Sequence, residues 1–280
     1  MSSWQYKLRQ GDCLEVMRSM PDKCVDLVMG SPPYADVREY SELEFSLKGQ
    51  EWVDWMLLRI REMVRLCRGL VAMVISDPVV NFQWTGEVAL LMADMLRAGF
   101  YMRRPPLYVR EGIPGSGGKD WFKNKYEIVV CCTAKPGKLP WHDNTACGKP
   151  CGYPVGGSPS HRNKQGLRAG GMRRKNGKRR LHGYTAPKLA NPGNLIMCGA
   201  DTHLGAGNLG EAPYPKKVPA FFIRSCCPPG GIVFDPFCGT STTGVAALEA
   251  GRRFIGVDLR QSQIDISRQR LTSMKKSFGF

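Results

Sequence analysis

Ile232-Val233-Phe234-Asp235-Pro236-Phe237-Cys238-Gly239-Thr240-Ser241-Thr242-Thr243-Gly244 is the stretch whose reading decides the fold. Its apolar start drives the chain through a sheet, and Asp235 emerges at the carboxyl end of that strand, where open α/β sheets bind their ligands. Gly239 lets backbone approach a ligand. Thr240 to Thr243 offer hydroxyls and N–H groups at the positive end of the next helix, a setting suited to a carboxylate.

Phe254-Ile255-Gly256-Val257-Asp258 lies about twenty residues from Asp235 and puts a second acid at the tip of a neighbouring strand, the spacing at which a carboxylate can accept both hydroxyls of a ribose. The upstream half alternates in the same way. Strands are expected over Tyr6–Arg9, Val25–Met29, Leu70–Ile75 and Ile128–Thr133, and helices over Cys13–Met20, Gln50–Leu66 and Val88–Ala98. In Gln50–Leu66 the apolar residues Val53, Met56, Leu57, Ile60 and Val64 form the stripe of a helix that covers a sheet. Downstream, helices are expected over Pro215–Cys226, Gly244–Ala250 and Ser262–Met274, with strands over Gly231–Asp235 and Arg253–Asp258. Alternating βα units imply a mostly parallel sheet and an α/β fold.

Ser31-Pro32-Pro33-Tyr34 follows the apolar run Val25–Met29 directly. An exocyclic amino nitrogen is a poor nucleophile because its lone pair is delocalised into the base ring. If the Ser31 hydroxyl and the Pro32 carbonyl accept both amino hydrogens, electron density is held on that nitrogen and its lone pair can be aimed. Two prolines fix the backbone rigidly. Tyr34 would stack on a base swung out of its duplex.

The chain has 280 residues, a formal charge of +16 and 11 cysteines. That length suits one α/β domain with an inserted module. The charge favours a polyanionic partner, with nucleic acid first. No secretory signal and no run approaching roughly 18 apolar residues is visible, so a cytoplasmic protein without membrane contact is expected. The cysteines are odd in number and sit in apolar stretches such as Val129-Val130-Cys131-Cys132, as reduced core thiols do. No Cys-x-x-Cys pair occurs, His142, Cys147, Cys151 and His161 are irregularly spaced, and no metal is expected.

Residues 144–200 form a composition boundary, with no Asp or Glu, eleven Lys or Arg and eleven Gly. The densest part holds Arg173, Arg174, Lys175, Lys178, Arg179 and Arg180, which must meet phosphate or water.

Asp235-Pro236-Phe237-x-Gly239-Thr240-Ser241-Thr242-Thr243 with Gly256-Val257-Asp258, taken with Ser31-Pro32-Pro33-Tyr34, resembles the motifs of DNA amino-methyltransferases. The base motif precedes the cofactor motif, which resembles the β-ordered group. The resemblance implies a Rossmann-like fold that uses S-adenosylmethionine, with a circularly permuted motif order. It implies that Asp235, Pro236, Phe237, Gly239, Thr240, Ser241, Thr242 and Thr243 surround the methionine part, that Asp258 holds the ribose, and that Asp12 lies near the adenine ring. Ser31, Pro32, Pro33 and Tyr34 would be catalytic.

Three segments are then expected: 1–139 as the target-base half, 140–205 as a basic recognition insertion and 206–280 as the cofactor half. The six cations of 173–180 would contact double-stranded DNA, and the family leaves room for a restriction endonuclease counterpart. Ser at position 31 resembles the cytosine-N4 branch, whereas adenine-N6 enzymes more often place Asp or Asn there. Adenine N6 is the alternative, and an RNA or protein amide a more distant one. Pro105–Arg110 and Asn124–Ile128 resemble the strand pair beside the base pocket. Within that pair Glu127 reads either as an orienting group or as a surface strand residue.

Overall fold

The computed structural model describes residues 4–35, 46–112, 121–151, 188–199 and 214–278. In chain order the elements are β1 (Tyr6–Gln10), α1 (Cys13–Arg18), β2 (Val25–Gly30), α2 (Gly49–Leu66), β3 (Cys67–Ile75), β4 (Val79–Val80), β5 (Gln83–Trp84), α3 (Glu87–Arg97), β6 (Tyr101–Arg103), β7 (Leu107–Arg110) and β8 (Tyr126–Thr133). They continue with β9 (Lys149–Pro150), β10 (Leu189–Ala190), β11 (Leu195–Cys198), α4 (Lys217–Cys226), β12 (Ile232–Asp235), α5 (Thr242–Glu249), β13 (Arg253–Asp258) and α6 (Gln261–Phe278).

The main sheet runs β1-β13-β12-β2-β3-β8-β7-β11, with β6 paired to β8 off that path. The strands from β1 to β3 in this order are parallel to one another, and β8 is antiparallel to both β3 and β7. Strands that are apolar on both faces belong in a parallel sheet covered by helices on two sides. On β3, Val71, Met73 and Ile75 pack with α2 and α3, while Leu70, Ala72 and Val74 pack with the side that carries α4, α5 and α6. Trp52, Met56, Ile60 and Met63 of α2 are almost wholly buried. Burial of each such aliphatic or thioether side chain contributes about 1.5–3 kcal/mol.

The chain forms two compact units, residues 1–143 with 194–280, and residues 144–193. The smaller unit pairs β9 with β10, Leu189 opposite Pro150 and Ala190 opposite Lys149. In the larger unit β11 pairs in parallel with β7, so the main sheet takes up Leu195–Cys198 from within the 140–205 stretch. The strand β11 and the β4–β5 hairpin were not anticipated, because two to four residues carry too little periodicity to be read. Among the described residues, no helix is long and apolar enough to cross a membrane.

Candidate active site at the strand ends

β2 and β12 are parallel neighbours, with Val233 opposite Leu27 and Phe234 opposite Val28. Their carboxyl ends therefore lie side by side, and about 200 residues of sequence separation between the two motifs disappear. Gly30, the last residue of β2, faces Asp235, the last residue of β12. A Cβ at Gly30 would lie 2.3 Å from Asp235 Oδ1.

Asp235 is 2% exposed. Its Oδ1 accepts from the Phe237 N–H at 3.0 Å and its Oδ2 from the Thr243 hydroxyl at 2.6 Å. Burial pushes its carboxyl up to about 7, against the pull of these two bonds, with the Asp258 charge adding to the rise. Tyr214, just before α4, shares a hydrogen bond with the Thr243 hydroxyl and extends the network.

The turn from β12 into α5 uses left-handed backbone at Gly239, φ 48°, and at Ser241, φ 62°. Such a conformation in a fully buried serine costs about 1–3 kcal/mol, and strain of that kind collects at ligand sites. Ser267 of α6 donates to the Gly239 carbonyl at 2.6 Å and holds the turn from behind. Asp258 Oδ2 accepts from Gly239 N–H and Oδ1 from Arg260 N–H, both at 3.0 Å. The Arg260 Nε also lies 3.5 Å from Oδ1. The buried hydroxyl of Thr242, in the first turn of α5, finds no hydrogen-bond partner among the described residues. That orphaned hydroxyl, with the helix N-terminus around it, fits the polar end of an amino-acid ligand.

Asp12 caps α1 by accepting from Leu14 N–H at 2.6 Å. Its carboxylate also receives the Arg59 guanidinium, at 2.9 Å and 3.3 Å. Arg59 stacks 3.8 Å over the Trp55 ring, and that ring lies 5.9 Å from Phe237. Asp12, α2 and the Asp235 motif thus meet in one wall.

On the other side, Ser31 Oγ lies 3.0 Å from the Val74 carbonyl and 3.1 Å from the Tyr34 hydroxyl, and its single proton serves one of them at a time. Tyr34 donates to Glu127 Oε2 at 3.0 Å, and Arg110 sits 3.6 Å from Glu127 Oε1. Trp52 Nε1 donates to the Pro33 carbonyl at 2.9 Å and pins the motif to α2. Pro32 is buried beside it. Burial pushes the thiols of Cys67, Cys132 and Cys227 up to about 12, so they hold their protons and offer no thiolate.

A family model described as DNA methylase matches residues 25–269, which spans both motifs. The chain belongs to this DNA methylase family. Among curated relatives, the type II methyltransferase M.ScaI of Streptomyces caespitosus is 24% identical over 96% of this chain and 82% of its own length. M.HinfI of Haemophilus influenzae is 24% identical over 95% of this chain and 68% of its own. The PvuII cytosine-N4-specific DNA methyltransferase has a similar fold, with a TM-score of 0.69 at 19% identity, covering 98% of this chain and 93% of its own. A Thermus thermophilus protein designated a DNA modification methylase, solved with S-adenosyl-L-methionine, has a TM-score of 0.58 at 20% identity and covers 96% and 95%. The Rossmann-like α/β architecture is that of these methyltransferases.

The described part of this methylase brings Ser31 to Tyr34, Asp12, Asp235 to Thr243 and Asp258 to one end of its sheet. Arg173, Arg174, Lys175, Lys178, Arg179 and Arg180 lie outside the described residues. Sequence reasoning missed Arg59, Trp52, Trp55 and Tyr214. One signal for Arg59 was present, a charge set among Trp52, Trp55, Met56, Ile60 and Met63 on the apolar stripe of α2.

Proposed function

We propose that this methylase transfers a methyl group from S-adenosyl-L-methionine to the exocyclic N4 amino group of cytosine in double-stranded DNA. The observation that carries the reading is the seating of Gly30 against Asp235, which puts Ser31-Pro32-Pro33-Tyr34 beside the Asp235–Thr243 turn. S-adenosyl-L-methionine, when bound, supplies an electrophilic methyl on a sulfonium that departs as a neutral thioether.

The residues of the chain do the rest by position. The α5 N-terminus with Thr242 and Thr243 receives the amino-acid end of the donor, Asp258 its ribose hydroxyls, and the Asp12–Arg59–Trp55 wall with Phe237 its base. Ser31 Oγ keeps lone pairs free to accept one amino hydrogen while its own proton goes to Val74 or Tyr34. The Pro32 carbonyl accepts the other. The Tyr34 ring stacks on the swung-out base, and Glu127 fixes that ring through the phenol. Arrangement of the attacking nitrogen in this way lowers the barrier without covalent attack on the base, and the proton that the nitrogen sheds on gaining the methyl passes to solvent.

Residues 144–193 contribute the target-recognition region, and the cations of 173–180 neutralise phosphates. Two observations support cytosine over adenine: serine at position 31 and the likeness to the PvuII enzyme. The test is incubation with labelled S-adenosyl-L-methionine and mixed-sequence duplex DNA, followed by mass spectrometry of the nucleosides. N4-methylcytosine is expected. N6-methyladenine would keep the cofactor site and overturn the base assignment, and unlabelled DNA would overturn the substrate class.

A further inference from the structure

The β4–β5 hairpin takes no part in the site above. It leaves the carboxyl end of β3 just past Ile75, and the Val74 carbonyl of that strand holds Ser31. Its two-residue turn is Asn81-Phe82, with φ of 49° and 64°. A tight hairpin turn needs left-handed backbone at both positions, and Asn-Gly is the pair that supplies it with least strain. Asn81 follows that rule. Phe82 breaks it, because a bulky side chain is strained in the left-handed region. The residue is also 89% exposed, so packing among the described residues does little to offset the strain.

The foot of the hairpin is tied down. Asp77 accepts from Trp84 Nε1 at 2.9 Å and from Val88 N–H at 2.7 Å, and Thr85 N–H donates to the Pro78 carbonyl at 3.3 Å. A strained, solvent-facing aromatic on a short anchored ribbon is a feature that function explains and folding stability does not.

Its position says what it meets. β3 lies between β2 and β8, and the Tyr34–Glu127 bond passes from the end of β2 to the start of β8, across the strand from which the hairpin rises. Ile75 pairs with Ile128, so the segment entering β8 leaves the sheet at the same end. That segment carries Trp121 and Phe122, 75% and 85% exposed, their rings 5.5 Å apart, followed by Lys123 and Lys125. Aromatics interleaved with cations, on a chain of +16 formal charge, fit the stacked bases and phosphates of a nucleic acid.

We propose that the β4–β5 hairpin is a wedge that enters the DNA stack beside the target base, with Phe82 filling the gap left when that base swings out. The inference rests on the DNA methyl-transfer reading above. Extrusion of a base gives up its stacking and pairing, and an inserted apolar side chain recovers part of that loss.

The test uses the whole protein and a duplex carrying a site mapped by sequencing DNA methylated by the wild type. Turnover is measured on the fully paired duplex and on the same duplex with the target base opposite an abasic residue. Phe82→Gly relieves the left-handed strain, so its melting temperature should equal or exceed that of the wild type. Its turnover on the paired duplex should nevertheless fall about tenfold, while turnover on the abasic duplex stays within about twofold of wild type. Equal loss on both duplexes, or no loss on either, would overturn the wedge and leave the methyl-transfer reading intact. A loss that tracks dissociation of a dimer in sedimentation would also overturn it, by making the hairpin a contact between copies. Failure of the wild type to label either duplex would remove the methyl-transfer reading and the wedge with it.

Discussion

The α-carbon of Gly30 faces the carboxylate of Asp235 with no room for a methyl group, since a Cβ there would stand 2.3 Å from Oδ1 and 3.0 Å from the carboxyl carbon. Gly30→Ala should therefore push Asp235 off the Phe237 N–H and the Thr243 hydroxyl. Overpacking of this kind costs about 1–3 kcal/mol, and cofactor affinity should fall by about tenfold or more. Calorimetric titration with S-adenosyl-L-methionine and a urea unfolding curve check both halves.

The carboxyl of Asp235 is raised from 3.8 to about 7 in the folded chain. Between these two values the folded state keeps a proton that the unfolded state has lost, so this group makes stability fall as pH rises from about 4 to about 7. Asp235→Asn should remove that dependence. The stability of the variant relative to wild type should rise across the interval by on the order of 2–4 kcal/mol and level off above it. Unfolding midpoints from pH 4 to pH 8 measure the trend, and parallel curves would reject it.

Glu127 fixes the Tyr34 phenol and sits beside Arg110. Glu127→Gln keeps an acceptor for Tyr34, whereas Glu127→Ala leaves the ring free to turn. The alanine variant should lose about tenfold or more in kcat, the glutamine variant distinctly less, since misorientation alone carries penalties of that size. Cofactor affinity should stay near wild type in both. Single-turnover methylation beside equilibrium binding separates the two effects.

Arg59 has a side chain only 7% exposed, and Asp12 is its carboxylate partner. Asp12→Ala should cost about 2–4 kcal/mol, because a buried guanidinium is left without its counter-charge. The double variant Asp12→Ala with Arg59→Met should recover part of that loss. Denaturant unfolding of the two variants decides between a charge effect and a capping effect.

Replacement of Arg173, Arg174, Lys175, Lys178, Arg179 and Arg180 by glutamine should weaken duplex binding and flatten its salt dependence. The slope of log affinity against log salt should fall by about 0.9 for each phosphate contact removed. Binding isotherms at several salt concentrations read the slope directly, and an unchanged slope would reject a phosphate-contact role.

Most of the main sheet was legible because strands such as Val25–Gly30 and Cys67–Ile75 are buried on both faces and carry long apolar runs. Helix boundaries shifted by one to four residues, as at α2, which begins at Gly49, one residue before the apolar pattern, and at α6, which runs past Met274 to Phe278. The turn from β12 into α5 was legible because its glycine and hydroxyl residues are contiguous. Glu127 stayed ambiguous until Tyr34 and Arg110 were seen around it. Arg59, Trp55 and Asp12 come from separate elements, and only packing brings a stacked cation, a carboxylate and an indole together. Phe82 was not singled out in the sequence, and its left-handed backbone emerges only from the two-residue turn.

Helix α2 holds Pro33 through Trp52 and Asp12 through Arg59, two turns further along the same rod. One helix therefore holds both positions, about 10 Å apart along its axis. A displacement of that helix at one grip would carry to the other, and any coupling it gave between ligands held at the two places would act with the same factor in both directions. The separation of Pro33 from Asp12 is thereby set by a single helix, not by two independent halves of the chain.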